Sequence, residues 1–276
     1  YAISKTGYRH IDCARIYGNE EEIGSAFKKV IGTSVKREDL FVTSKLWNTN
    51  HRSDEVEKAC RQTLKDLGLD YLDLYLMHWG IAFKPGNDLE PLTKDGQVIR
   101  DNVPISDTWK AMENLVKTGL VRSVGVANFT AVMLVDLLTY AKVKPAMNQI
   151  ELHPYNSQNA LVQFCKDEGI AVTAYSPLGR QGVHNNSRRG PRLFDDPIIK
   201  KVAVKHKKTQ AQILINWALS RGTIVIPKST THERISENFD VFDFELDDRE
   251  KKGIDSLNRD YRFVNTGPWW GIPYFY

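Results

Sequence analysis

The sequence predicts an α/β protein, a (β/α)8 or TIM barrel, and three observations point there. The first is length: 276 residues are too many for one small core and suit one barrel. The second is rhythm. Apolar runs rich in Val, Ile, Leu and Tyr alternate with amphipathic stretches of helical period, and no two strand-like runs follow each other directly. Strand–helix alternation of that kind means a parallel sheet. The third is where the polar residues fall. Several apolar runs close on one acid, base or imidazole, and in a β/α barrel the chemistry sits where strands end and helices begin.

Taken in order, residues 1–6 resemble the tail of a helix. Residues 7–24, GYRHIDCARIYGNEEEIG, make the first full β-α unit. A strand over 8–13 carries Asp12 near its end, Tyr17 follows in the turn, and a helix over 20–30 opens on three acids that suit its N-terminus. The strand over 40–46, in FVTSKLW, ends with Lys45 and Trp47, and a helix over 54–67 follows. The strand over 71–78, in LYLMHWG, ends with His78 and Trp79. Further strands are expected over 121–126, 146–151, 171–175 and 223–227, with helices over 105–118, 131–141, 159–168 and 210–220 between them. Seven strands are an awkward number for a closed barrel, and Tyr1 is not a natural start, so one β-α unit is expected to precede residue 1. No linker or low-complexity stretch divides the chain, which reads as a single domain over 1–276. Two long loops, 79–103 and 177–195, both follow strands and so fall on the catalytic face; loops of that length are usually lids or disordered.

Composition narrows the function classes. With 41% hydrophobic and 26% charged residues the chain is ordinary globular protein. A net charge of +4 is too mild to argue for nucleic acid; it suits an anionic small molecule or simply a solvated surface. The same two readings stay open for Arg188, Arg189 and Arg192 in the second long loop. Three cysteines without a CxxC pair fit a reducing compartment, hence a cytoplasmic protein. No apolar run approaches a membrane span. No metal cluster or flavin motif is visible, and no GxGxxG follows any strand, so a Rossmann nucleotide site is not supported.

The strand ends then carry the argument. Alone, Asp12 reads more simply as a turn cap, Tyr17 as a packing residue, His78 as a hydrogen-bonded core histidine and Lys45 as a lysine that snorkels outward. Together they make coincidence a poor explanation. A lysine within Val-Thr-Ser-Lys-Leu-Trp is costly to bury without an acid, and Asp12 can be that acid.

The motifs GYRHIDCARIYGNEEEIG, TSKLW, LDLYLMHW, GVANF, QIELHP, AYSPLG and IPKSTTHERISEN resemble those of the aldo-keto reductases, in the same order along the chain. Within that family the chain is most similar to the aldose and xylose reductase branch. The loop AFKPGNDLEPLTKDGQVI is similar to aldose reductase and the ending YRFVNTGPWWGIPYF to the xylose reductases. The resemblance implies a catalytic tetrad of Asp12, Tyr17, Lys45 and His78. Reducing a carbonyl needs a hydride to carbon and a proton to oxygen. A free tyrosine, with a pKa of about 10, is a slow donor at neutral pH, and a lysine cation beside it favours the phenolate. An acid holds the lysine charged, and a neutral His78 can donate to the carbonyl oxygen.

The resemblance also implies NADPH (NADP+) laid across the barrel mouth. Asn128 and Gln149 match the carboxamide positions, Tyr175 the residue that stacks on the nicotinamide, and Ser176, Leu178 and Gly182 the pyrophosphate loop. Lys228, Ser229, Thr230, Arg234, Glu237 and Asn238 match the adenosine end. Two cations and two hydroxyls there suit a 2′-phosphate, so NADPH is expected over NADH; the plainer reading pairs Arg234 with Glu237 on a helix surface. Trp47, Trp79, Trp269 and Trp270 are expected to wall the substrate pocket, with 259–276 as a C-terminal substrate loop. Two departures stand out. Ala127 replaces the serine usual in Ser-Asn-Phe and puts one carboxamide hydrogen bond in doubt. Gly80 stands where proline commonly follows His-Trp and is expected to loosen the loop. The function implied is NADPH-dependent reduction of an aldehyde or open-chain aldose to its alcohol, by a monomer or weak homodimer without metal, nucleic-acid or membrane partners. Two alternatives are a sugar-phosphate reductase of the same family and a non-catalytic barrel used for binding or structure.

Overall fold

The computed structural model describes residues 1–179 and 190–275. A helical turn at Ala2–Thr6 opens the chain. Then follow β1 (His10–Asp12), α1 (Glu20–Val30), β2 (Phe41–Leu46), α2 (Ser53–Leu67), β3 (Leu72–Met77), α3 (Ile105–Lys117), β4 (Val121–Ala127), α4 (Ala131–Tyr140) and β5 (Met147–Glu151). The second half runs α5 (Asn159–Asp167), β6 (Ala171–Tyr175), α6 (Pro197–His206), α7 (Gln210–Ser220), β7 (Ile224–Val225), α8 (His232–Phe239), α9 (Asp248–Asp255) and α10 (Thr266–Trp270).

Helix boundaries follow local chemistry. Thr130 caps α4 by accepting from the Met133 N–H, and α6 begins with Asp196 as cap and Pro197 in its first turn, where a missing N–H costs nothing. Reciprocal capping boxes start α7 (Thr209 with Gln212) and α9 (Asp247 with Glu250). Helix α2 ends at Gly68, whose φ of 63° lets its N–H reach back to the carbonyls of Leu64 and Lys65. Tyr17 sits on a 3-10 turn, Arg15–Tyr17, stopped by Gly18.

The chain divides into two compact units. One comprises residues 7–148 and 265–276. In it β1, β2, β3 and β4 pair side by side and parallel, with His10 opposite Phe41, Thr43 opposite Leu74 and Leu74 opposite Ser123. The Ala146 N–H donates to the Val124 carbonyl at 2.8 Å and brings the chain to the start of β5. Strands β2 and β3 are buried almost throughout, as parallel strands covered on both faces must be. Helix α1 lies tight against α2: a Cβ on Gly24 would stand 2.2 Å from the Asp66 carbonyl oxygen, so only glycine fits.

The other unit comprises residues 1–6 and 149–264. There β6 pairs parallel with β7, and the Leu152 N–H donates to the Tyr175 carbonyl at 3.2 Å, beside the end of β5. Cys13 and Cys60 in the first unit and Cys165 in the second are outside any disulfide, all buried. The strand and helix expectations hold to within a few residues, with β7 shortened to two. Helices α6, α8, α9 and α10 are additions to the ranges expected. Helix α9 has little apolar pattern to reveal it, since Ile254 is its one large apolar residue.

Candidate active site

Strand β2 delivers Lys45 to the interior, where its side chain is 0% exposed. Three oxygens surround the ammonium. It donates to Asp12 Oδ2 at 2.6 Å, to the Cys13 carbonyl at 2.9 Å and to Tyr17 Oη at 3.4 Å. An ammonium has three N–H bonds, so every donor is used. Asp12 comes from the last residue of β1, and Tyr17 from the 3-10 turn five residues on. Lys45 therefore stays charged: burial works against the cation, but Asp12 and Tyr17 outweigh it and push its pKa up to about 12. The Cys13 carbonyl is the one partner that residue types could not reveal, because a backbone oxygen carries no signature.

Tyr17 departs from expectation. Half of the residue is exposed, yet its hydroxyl end is enclosed, and burial raises the phenol pKa more than Lys45 lowers it. The hydroxyl is thus held protonated, as a proton donor must be, with the lysine offsetting part of the burial effect. His78 is buried at the end of β3, and burial followed by the Lys45 charge holds its pKa well below the ordinary value. It is a neutral imidazole. Its Nδ1 has no hydrogen-bond partner among the described residues. The His78 and Tyr17 rings meet edge to face at 6.2 Å between centroids.

Aromatic side chains of the same unit surround these groups. Trp47 lies 5.2 Å and Trp79 6.4 Å from the His78 ring. Trp270, from α10, stands 6.2 Å from Trp47, 5.0 Å from Trp79 and 5.0 Å from Phe83. Loop 79–103 fastens this wall: Trp47 Nε1 donates to the Leu89 carbonyl at 2.6 Å and Trp270 Nε1 to Glu90 Oε1 at 2.9 Å. Trp269 differs from its neighbour, being 37% exposed against 3% for Trp270. Phe83, Glu90 and Tyr274 belong to the same assembly and carried no sequence signal beyond lying in the loop and the aromatic tail.

Asn128 follows β4 in the left-handed conformation, at φ 63°, and its Nδ2 donates to the His78 carbonyl at 2.9 Å. Ala127 is buried beside Leu74, Leu76 and Met147. In the other unit, Gln149 is buried on β5, Tyr175 ends β6 half-buried, and Ser176 follows at φ 50°. Non-glycine residues at positive φ cluster at functional sites. Leu178 is half-buried in the next turn, and Gly182, Arg188 and Arg189 lie outside the described residues. Arg192 pairs with Asp195 at 3.1 Å. Lys228, Thr230 and Arg234 are exposed and Asn238 is buried. Ser229 Oγ accepts from the Thr231 N–H at 3.2 Å. Arg234 does not pair with Glu237, whose carboxylate accepts from the Thr209 hydroxyl at 2.7 Å. Neither Lys228 nor Arg234 has an acidic partner among the described residues. Two exposed, unneutralised cations beside hydroxyl groups fit a phosphate-bearing cofactor.

Residues 1–259 match the family model described as the aldo/keto reductase family. The chain is 50% identical over 266 residues to aldo-keto reductase family 1 member A1 of Gallus gallus, covering 96% of this chain and 81% of that one. The Homo sapiens protein of the same name is 48% identical, with 82% of its length covered. Among solved structures, the aldose reductase of Giardia lamblia has a TM-score of 0.93 at 42% identity, covering 99% of this chain and 91% of that one. A Bombyx mori aldo-keto reductase in complex with NADP has a TM-score of 0.89 at 41% identity, with 99% and 86% covered.

Proposed function

Because the chain belongs to the aldo/keto reductase family, an NADP-dependent oxidoreductase with the (β/α)8 barrel fold that reduces carbonyls to alcohols, we propose that its substrate is an aldehyde or an open-chain aldose. The observation that carries this reading is the Lys45 ammonium enclosed by Asp12, the Cys13 carbonyl and Tyr17. NADPH, when bound, supplies the hydride.

The chain's own residues do the rest. Tyr17 Oη gives its proton to the carbonyl oxygen. Lys45, 3.4 Å away, stabilises the phenolate that remains. Asp12 keeps Lys45 charged and in place. The neutral His78 donates from its ring to the same carbonyl oxygen and orients it. Trp47, Trp79 and Trp270 exclude water, which strengthens each of these interactions. Asn128 and Gln149 would hold the carboxamide of the cofactor, Tyr175 would stack on its ring, and Ser176 and Leu178 would line its pyrophosphate. Lys228 and Arg234, with Ser229 and Thr230, would bind its 2′-phosphate, and Glu237 and Asn238 would lie at its adenosine end. The protein works as one barrel domain, a monomer or weak homodimer of the cytoplasm, where three buried thiols outside any disulfide are at home. No helix among the described residues is long and apolar enough to cross a membrane.

A sugar-phosphate substrate has no observation in its favour among the described residues, since Arg192 is already paired. The test is steady-state turnover of glyceraldehyde, xylose and a sugar phosphate with NADPH, for the native protein and for Tyr17→Phe. Reduction of the uncharged substrates and a fall in kcat of about 10²–10⁴-fold in the variant are expected. A preference for the sugar phosphate, or a variant with near-native kcat, would refute the reading.

A further inference from the structure

We infer that the Gly80 amide and the Tyr274 hydroxyl form a latch that fixes the C-terminal tail against Trp79, and that this latch sets how large a carbonyl substrate the protein accepts. The inference rests on the aromatic wall being the substrate pocket, as proposed above.

The Gly80 N–H donates to Tyr274 Oη at 2.8 Å. Gly80 is two residues beyond His78, so the bond joins the tail to the backbone that leaves the imidazole. The Tyr274 ring stands edge-on to Trp79 at 5.1 Å, and Phe275 lies 5.9 Å from the same indole. Burial holds the Tyr274 phenol well above its ordinary pKa, so it remains a neutral hydroxyl that accepts from Gly80. Further along the loop the tail is also attached by Val98 N–H to the Trp270 carbonyl at 3.2 Å, and by Trp270 Nε1 to Glu90. The Gly80 bond ties the last residues of the tail to the strand end itself.

The residue at 80 meets two demands at once. A Cβ there would stand 2.3 Å from Met133 Cε and 3.1 Å from Ile105 Cδ1 and Phe129 Cε2, so any side chain must displace the packing beneath. A proline would also remove the N–H that Tyr274 accepts. The glycine therefore closes the loop start onto the tail and does not loosen it. With the latch made, Trp79, Trp270 and Tyr274 form a fixed wall, and a compact aldehyde passes without disturbing it. A bulky aldehyde must displace the tail and break the bond. One neutral hydrogen bond is then worth a factor of about 2–10 in the preference between the two.

Tyr274→Phe removes the acceptor and keeps the ring. Three readouts are compared with the native protein: hydrogen exchange of residues 265–275, kcat/KM for glyceraldehyde and for a naphthaldehyde, and NADPH affinity by fluorescence titration. The expected result is faster exchange in the tail and a rise of about 2–10-fold in the naphthaldehyde-to-glyceraldehyde ratio, with NADPH affinity unchanged. Unchanged exchange would overturn the latch. Faster exchange with an unchanged ratio would overturn its part in specificity. A native protein inert to both aldehydes, yet with faster tail exchange in the variant, would overturn the substrate reading and leave the latch standing.

Discussion

Removing the charge of Lys45 should separate stability from catalysis. The side chain is 0% exposed and faces an Asp12 carboxylate that is itself 8% exposed. Lys45→Met leaves that carboxylate buried without its lysine, and breaking a buried pair from one side costs about 3–5 kcal/mol. The proton linkage gives an independent figure. The folded pKa is raised from the ordinary 10.5 to about 12, which at 1.36 kcal/mol per pKa unit is about 2 kcal/mol. A raised pKa on a base means that the folded state holds the proton more tightly. That stabilisation is complete below pH 10.5 and disappears as pH rises through about 12. The truncation exceeds the linkage figure because it also strands Asp12. Changing both residues, Lys45→Met with Asp12→Asn, removes the stranded charge and should recover stability to within about 1–2 kcal/mol of native, since buried pairs are close to neutral overall. Turnover should not return, because Tyr17 then lacks its cation. Urea unfolding and NADPH consumption with glyceraldehyde measure the two quantities. An active double variant, or a Lys45→Met protein destabilised by less than about 1 kcal/mol, would refute the reasoning.

Two further outcomes test other parts of the molecule. Arg234→Ala should weaken NADPH by about tenfold or more and leave NADH nearly unchanged, since one charge-assisted bond is worth about 1.5–3 kcal/mol; added salt should narrow the native preference, and equal KM values for the two cofactors in the native protein would defeat the assignment. His51 is buried, and burial lowers its pKa from 6.5 to about 3. The folded state resists its protonation, so stability should fall as pH drops from about 6.5 towards 3. His51→Gln should flatten that acid limb by up to one proton in urea titrations across the range, and an unchanged slope would show that other groups carry it.

What the residues disclosed and what they hid follow from range. The strands were legible because apolar runs closing on Asp12, Lys45 and His78 are local patterns. Helix α6 carries a local start signal in Asp196-Pro197, a cap followed by a first-turn proline, but it follows a long loop with no strand directly before it. Helix α9 showed only its capping box, Asp247 with Glu250, because its sequence is almost wholly polar. The protonation of Tyr17 is hidden for a deeper reason. The lysine beside it was inferable, but the burial that outweighs the lysine depends on the whole assembly. Gly80 is the sharpest case. In sequence it is a missing proline, and its meaning is set by Tyr274, which lies 194 residues away. Trp269 and Trp270 looked equivalent as neighbours, and only packing separates the exposed ring from the buried one.

The three enclosed cysteines give the molecule its own clocks. Cys13 lies beside the Lys45 cluster, Cys60 within α2 and Cys165 within α5, and none has surface in the folded state. A thiol reagent reacts with the thiolate, and burial pushes Cys13 and Cys60 up to about 12. Labelling of each therefore waits for its surroundings to open, after which the thiol ionises as a free one would. With Cys13 and Cys60 in one compact unit and Cys165 in the other, the order in which the three are trapped reports which part of the chain breathes first, without any engineered probe.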